Sequence, residues 1–126
     1  MLQAFGVPIY KKEGYEADDI IATIAKKLEK SPPVGGLEII VVTGDLDALQ
    51  LVGKNLKVYA MKKGVTETII YDERAVHDRY GLKPQQLTDF KGLKGDPSDN
   101  IPGEKGIGEK TAADLIKNFG SIKEVY

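Results

Sequence analysis

The sequence predicts an α/β fold over residues 1–82, followed by an all-helical region over residues 83–126. Three observations carry this reading. Leu37–Thr43 is centred on the apolar β-branched run Ile39–Val42, which reads as a strand buried on both faces and hence paired in parallel. Ala17, Ile20, Ile21, Ile24 and Leu28 recur at the spacing of one helical face just upstream. Downstream, apolar periodicity of helical type brackets a Gly/Pro/Asp-rich stretch, Gly95–Gly108, with no further strand pattern.

Each element follows from local chemistry. In the helix Ala17–Lys30, the acids Glu16, Asp18 and Asp19 crowd the N-terminus and Lys26, Lys27 and Lys30 the C-terminus, as the helix dipole favours. Pro32-Pro33 and Gly35-Gly36 end it in a loop. After the strand, Gly44 turns the chain into a short helix over Leu46–Leu51. Leu56–Met61 and Val65–Tyr71 bracket Lys62-Lys63-Gly64 and read as a hairpin or two edge strands. Asp72 caps a helix to about Tyr80, which Gly81 stops. Pro84 opens a helix through Leu93. The last full helix, Glu109–Asn118, puts Ala112, Leu115, Ile116 and Phe119 on one face and ends at Gly120.

Composition narrows the chemistry. Among 126 residues, 18 Lys and Arg balance 19 Asp and Glu, so neither a polybasic nucleic-acid tail nor an acidic disordered tail is present. There is no Cys and one His, His77, which excludes disulfides, thiolate zinc sites, Cys nucleophiles and multi-His metal sites. Ile39–Val42 is far too short to cross a bilayer, and the first ten residues lack a secretory n-region. A cytoplasmic protein is expected, and any metal it holds takes oxygen ligands. The terminal segments, an uncapped apolar stub after Met1 and a helix with only five residues to run after Ser121, predict a piece of something larger.

Acidic residues gather at element ends in three places: Glu16-Ala17-Asp18-Asp19, Asp45-Leu46-Asp47 after the buried strand, and Asp96-Pro97-Ser98-Asp99. Each has an ordinary structural explanation. Acids in a first helical turn contribute roughly 0.3–1 kcal/mol each, and Asp residues cap turns. An N-cap accounts for only one of Asp45 and Asp47, however, and the carboxyl end of a strand in an open α/β sheet is where ligands bind. Seven carboxylates with no Lys or Arg inside the same motifs either never meet or are neutralised by hard divalent cations, Mg²⁺ or Mn²⁺. Two such ions about 4 Å apart suit phosphodiester hydrolysis.

Beside the third acidic pair, Ile101–Ala112 joins two helices through Gly106-Ile107-Gly108. Glycines at a helix start free backbone N–H groups for an anion. Lys110 and Thr111 in the first turn can add a charge and a hydroxyl. With Ile107 buried between the helices, this is the helix-hairpin-helix pattern, which grips DNA backbone without reading sequence and binds in a salt-sensitive manner.

The four stretches Gly14–Asp19, Thr43–Asp47, Gly95–Asn100 and Ile101–Ala113, in that order, resemble the 5′ nuclease domain of bacterial DNA polymerase I and its flap endonuclease and 5′–3′ exonuclease relatives. The resemblance implies a partial PIN-like parallel sheet with helices, and a two-metal, structure-selective nuclease acting on 5′ ends or 5′ flaps of duplex DNA. It places Glu16, Asp18, Asp19, Asp45, Asp47, Asp96 and Asp99 in the metal site, with Asp45 and Asp96 catalytic through bound metal. Gly103, Gly106, Ile107, Gly108, Lys110 and Thr111 fall in the DNA-binding hairpin, whose carbonyls in relatives often hold K⁺. The chain departs from the family at Leu46, where relatives frequently carry a base. It also lacks the opening strand with further Asp ligands and the basic arch, which implies the C-terminal part of a 5′ nuclease, with a missing N-terminal part or a polymerase domain as partner. The alternative is a catalytically inactive helix-hairpin-helix DNA-binding module. A reduced sheet leaves an edge open to pairing, so a homodimer through that edge, an exchanged element or marginal stability is expected.

Overall fold

A computed structural model describes residues 2–30, 37–61 and 68–126. The expected Pro/Gly loop at 32–36 and the turn at Lys62-Lys63-Gly64 fall outside the described residues, as do the first three residues of the expected strand from Val65. The chain forms two units, Met1–Leu37 and Glu38–Tyr126.

In the first unit, helix α1 spans Ala17–Lys30, as its periodicity predicts. The Glu16 backbone N–H donates to Asp19 Oδ2 at 3.1 Å, one half of a capping box that fixes the helix start. A single turn of 3₁₀ helix, Leu2–Phe5, has no counterpart in the sequence pattern. It is closed by the Gly6 N–H donating to the Gln3 carbonyl at 3.1 Å.

The second unit opens with a three-stranded sheet of order β1 (Ile39–Thr43), β2 (Leu56–Met61) and β3 (Thr68–Tyr71). β1 pairs with β2 in parallel, with Val41 opposite Val58, and β2 pairs with β3 antiparallel, with Val58 opposite Tyr71. Val41, Val58 and Tyr71 are buried across one face of the sheet, flanked by Leu56 and Ala60 of β2. The other face differs from the prediction: Ile40 and Val42 are 54% and 61% exposed, so among the described residues of this unit β1 is covered on one side. The elements of this unit that pack on the sheet are the 3₁₀ helix Leu46–Leu51, against β1 and β2, and helix α2 (Glu73–Tyr80), against β3. That is one layer of cover, and one layer buries alternate residues only. The Ile-Ile-Val-Val run carries no polar residue to signal which face stays open.

Asp72 caps α2 by accepting from the Ala75 N–H at 2.8 Å, and Gly81 ends it in the left-handed region at φ 69°. A 3₁₀ turn at Pro84–Gln86 leads into α3 (Leu87–Lys94), followed by α4 (Glu109–Phe119) and α5 (Ile122–Val125). Phe90 and Leu93 of α3 and Ala112 and Ile116 of α4 are buried, and the two helices pack together. Gln86 Nε2 donates to the Gly120 carbonyl at 3.0 Å and to that of Ile116 at 3.3 Å, satisfying the C-terminus of α4. Asp89 Oδ2 accepts from the Ile122 N–H at 3.3 Å and serves the start of α5. The helical region is thus tied by side chains that a helical wheel would place on a plain polar face. Among the described residues, no helix is long and apolar enough to cross a membrane.

The one-sided sheet yields a paired expectation. Ile116→Ala, at a position with no exposed surface, lowers unfolding free energy by about 2–5 kcal/mol. Ile40→Thr keeps a β-branched residue on the open face and changes it by less than about 0.5 kcal/mol. Urea unfolding of both variants checks this, and a large loss at Ile40 would mean that the open face is covered.

Candidate metal centre

Three of the predicted carboxylates converge. Asp47, Asp96 and Asp99 each offer an oxygen within 4.8 Å of the others. Asp47 comes from the first turn of the 3₁₀ helix that follows β1, Asp96 caps the 3₁₀ turn Pro97–Asp99 after α3, and Asp99 is the last residue of that turn. All three donors sit on short turns that directly follow a strand or a helix.

The loop carrying Asp96 and Asp99 is pinned by backbone. The Asp96 N–H donates to the Ile101 carbonyl and the Ile101 N–H to the Asp96 carbonyl, both at 2.9 Å, and the Glu104 N–H donates to the Leu93 carbonyl at 2.8 Å. This brings Gly103 against Gly95 so closely that a Cβ on Gly103 would lie 2.5 Å from the Gly95 nitrogen. Gly103 also sits at φ +67°. Its glycine is therefore demanded by the folding of the acidic loop itself, a role the sequence pattern, which places it in the hairpin, does not reveal. Asn100 closes the turn in the left-handed region at φ 57°, a conformation Asn tolerates better than most residues.

Asp45 stands apart from these three. Its side chain caps the 46–51 helix by accepting from the Asp47 N–H at 2.9 Å, while its own N–H donates to Thr43 Oγ1 at 3.0 Å. Asp45 is thus the cap and Asp47 the converging ligand, which resolves the two roles that the Asp-x-Asp spacing leaves open. Glu16, Asp18 and Asp19 belong to the first unit, at the start of α1.

One residue that the sequence pattern missed lies in the middle of the cluster. Lys91 of α3 is ion-paired to Asp47 and, at 2.7 Å, to Asp96 Oδ2. The motifs themselves hold no Lys or Arg, and the base comes from outside them: Lys91 is distant in sequence from Asp47 and lies just outside the Gly95–Asn100 motif, so inspection of the motifs alone could not find it. Its i, i+5 offset from Asp96 across the helix end was the only available signal. Burial works against the Lys91 ammonium, but hydrogen bonds to Asp47 and Asp96, with their charges, outweigh it and raise its pKa. The Lys91 hydrogen bond first, then those of Ser98, hold the Asp96 carboxyl well below the usual carboxylate range. Asp99 shifts the other way, raised by its hydrogen bond with Asp47, by burial, and by the charges of Asp47 and Asp96, with Lys91 opposing.

Three carboxylates against one ammonium leave two formal negative charges at the cluster. An all-oxygen donor set with this residual charge fits a hard divalent cation. A cleft of about 520 Å³ opens beside it, lined by Asp47, Lys91 and Asp99 together with Tyr80, Lys94 and Glu109.

The predicted hairpin residues lie at the start of α4. Gly108 is the helix N-cap and makes no side-chain cap, and Gly106 adopts φ +86°. A Cβ on either would meet nothing within 4 Å, so both glycines leave the backbone approachable. Lys110 and Thr111 are exposed in the first turn. Ile107 is half-buried rather than enclosed between the helices, because the open Gly106 turn leaves one side of it to solvent.

Comparison with known proteins gives a consistent result along the whole chain. Residues 1–81 match the family described as 5′-3′ exonuclease, N-terminal resolvase-like domain, and residues 82–126 match 5′-3′ exonuclease, C-terminal SAM fold. The chain is 47% identical over 125 residues to DNA polymerase I of Bacillus caldotenax, covering 99% of this chain and 14% of that protein. It is 48% identical over 125 residues to DNA polymerase I of Chloroflexus aurantiacus, covering 97% and 13%. It therefore spans about one seventh of the length of these curated relatives. Among solved structures, T5 5′-exonuclease with bound zinc superposes with a TM-score of 0.83 at 25% identity, over 98% of this chain and 43% of that one. The catalytic core of Rad2 in complex with DNA substrate superposes with a TM-score of 0.63 at 25% identity, over 98% and 35%.

The close backbone approach at Gly103 sets a test of the site's construction. Gly103→Ala and Gly106→Ala share the left-handed penalty of about 1–2 kcal/mol, and Gly103→Ala adds an overpacking cost of roughly 1–3 kcal/mol. Chemical denaturation of both variants is expected to rank Gly103→Ala as clearly the more damaging. Equal losses would mean that Gly95 and Gly103 are not in contact.

Proposed function

The chain belongs to the 5′-3′ exonuclease family, and from that premise we propose that it serves in a metal-dependent, structure-selective 5′ nuclease that hydrolyses phosphodiester bonds in DNA. The observation that carries this reading is the convergence of Asp47, Asp96 and Asp99 on one small volume. Carboxylates crowd in this way at a cost unless cations offset their repulsion.

In this reading Asp47, Asp96 and Asp99 would hold Mg²⁺ or Mn²⁺, with Asp45, the cap of the 46–51 helix, as a further carboxylate beside Asp47. When bound, paired divalent ions supply an activated water and charge stabilisation at the leaving oxygen. The protein's part is to fix its donors: the caps at Asp45 and Asp96 and the Gly95–Gly103 contact hold carboxylates in place before substrate arrives, which favours reaction through positioning. Both parts of the chain contribute carboxylates, Asp47 from residues 1–82 and Asp96 and Asp99 from residues 83–126, and the DNA-binding hairpin lies in residues 83–126. Gly103, Gly106, Ile107, Gly108, Lys110 and Thr111 form a backbone-gripping hairpin for duplex DNA. The exposed N–H groups at the start of α4 face phosphate and Lys110 adds a point charge. Carbonyls of the same hairpin are suited to a K⁺ ion.

The curated relatives are DNA polymerases I, which supports a reading in which the chain works coupled to a polymerase domain; in the same reading it acts in the cytoplasm on DNA bearing a 5′ end or flap. Among the described residues β1 pairs on one side only, and its unpaired backbone edge, next to the face that carries exposed Ile40 and Val42, suits cover by further polypeptide or by a second copy in a homodimer.

The decisive measurement is Mg²⁺- or Mn²⁺-dependent cleavage of a 5′-labelled flap DNA. Metal-dependent cleavage that EDTA stops and that Asp96→Asn with Asp99→Asn reduces by at least about a hundredfold is the expected result. Cleavage that survives the double substitution overturns the metal assignment. Duplex binding without cleavage by the native chain would make it a DNA-binding module instead. Separately, Lys110→Ala is expected to weaken duplex binding and to lower the salt dependence by about one phosphate contact, read by fluorescence anisotropy across a salt series.

A further inference from the structure

Lys91 is the one feature of the cluster that a metal-binding role does not by itself require. Its ammonium reaches two carboxylates from different segments, Asp47 after β1 and Asp96 after α3. The side chain is only 26% exposed. Its neighbour on the same helix behaves differently: Lys94 lines the same cleft, but its ammonium lies 5.4 Å from the centre of the Phe90 ring. Two lysines one turn apart therefore share a cleft, and the structure puts Lys91 alone between the acids.

Resting on the metal-centre reading above, we propose that Lys91 is a resident counter-cation, a positioning residue that occupies the metal-facing oxygens of Asp47 and Asp96 and surrenders them when a divalent ion enters. An ammonium carries one charge, which cannot balance three carboxylates. A divalent ion brings twice that charge to the same oxygens and attracts all three. The exchange is sterically open, because Lys91 lines the adjoining cleft of about 520 Å³. Its flexible four-carbon stem can carry the head group into that space, where Glu109 is also a lining residue. In the metal-free protein the same ammonium keeps Asp47 and Asp96 together against their mutual repulsion. Lys91 thus has two opposed effects, preserving the geometry of the centre before a metal ion enters and competing with that ion for it.

The test is calorimetric titration of Mn²⁺ into the native chain and into Lys91→Met and Lys94→Met, without DNA, alongside thermal unfolding of each in EDTA. Lys91→Met is expected to bind Mn²⁺ about tenfold tighter or more and to melt at lower temperature in EDTA than the native chain. Lys94→Met, which removes a charge from the same cleft without touching the acids, is expected to stay within about threefold of native affinity. Equal or weaker Mn²⁺ binding by Lys91→Met, or an equal gain in Lys94→Met, overturns the exchange while leaving the metal centre intact. A native chain that binds no Mn²⁺ removes the metal centre and this inference together. Should Lys91→Met fail to fold, lysine-selective ¹³C NMR of the native chain reads the same event. The Lys91 Cε signal is expected to shift on Mg²⁺ addition and saturate with the binding isotherm, and a signal that does not move overturns the proposal.

Discussion

Everything at this centre depends on keeping Asp47, Asp96 and Asp99 together, with oxygens within 4.8 Å of one another, against the repulsion of like charges. Nothing about a carboxylate favours such company, and left to themselves these side chains would turn outward to water. The fold opposes that with rigid backbone on both sides. Asp47 is held in the first turn of a helix whose cap is Asp45, and Asp96 is itself the cap of the turn that carries Asp99. A capping carboxylate already has a backbone N–H on one oxygen, which limits its rotation and leaves the other oxygen for a cation. For Asp96 that arrangement is explicit: Oδ1 accepts from the Ser98 N–H at 3.0 Å, while Oδ2 meets Lys91 at 2.7 Å.

The second support is further from the charges. The reciprocal hydrogen bonds between Asp96 and Ile101, the Glu104-to-Leu93 bond and the Gly95–Gly103 contact fold the acidic loop back on the end of α3. Leu93, nearly inaccessible to solvent, anchors that helix end with a burial contribution of roughly 1.5–3 kcal/mol. The same loop then continues through Gly106 and Gly108 into α4. The element that positions two metal-facing carboxylates and the element that presents backbone N–H groups to phosphate are therefore one continuous strap. A change at Gly103 would be felt on both sides of it.

Much of this was legible in the sequence. The helices α1, α2 and α4, the caps at Asp72 and Gly81, and the parallel pairing of β1 each follow from local residue chemistry, and the acidic positions stood out by their placement at element ends. What escaped was what depends on contacts between distant segments. Whether Ile40 and Val42 are covered is decided by how many layers pack on the sheet, and Ile-Ile-Val-Val reads identically in either case. Lys91 is 44 residues from Asp47 and looks like any polar residue on a helix of alternating character. Gly103 reads as a hairpin glycine until its distance to Gly95 is known. Conversely, Asp45 and Asp47 were distinguishable only in part: the spacing showed that one cap could not explain two acids, but not which acid was the cap.

These features make occupancy and stability of the centre two aspects of one quantity. With Lys91 in place the cluster retains two formal negative charges, so the metal-free fold carries an uncompensated repulsion at the junction of the 46–51 helix, the end of α3 and the acidic loop. A cation that binds the folded centre and not the unfolded chain stabilises it by an amount that grows with its concentration relative to its dissociation constant, about 2.7 kcal/mol at a hundredfold excess. The three carboxylates and the strap that holds them would then tighten together on binding. The centre is consequently neither a preformed cage nor a loose cluster: backbone caps set the direction of each ligand, an internal ammonium limits their separation, and the remaining charge defines what kind of ion completes the site.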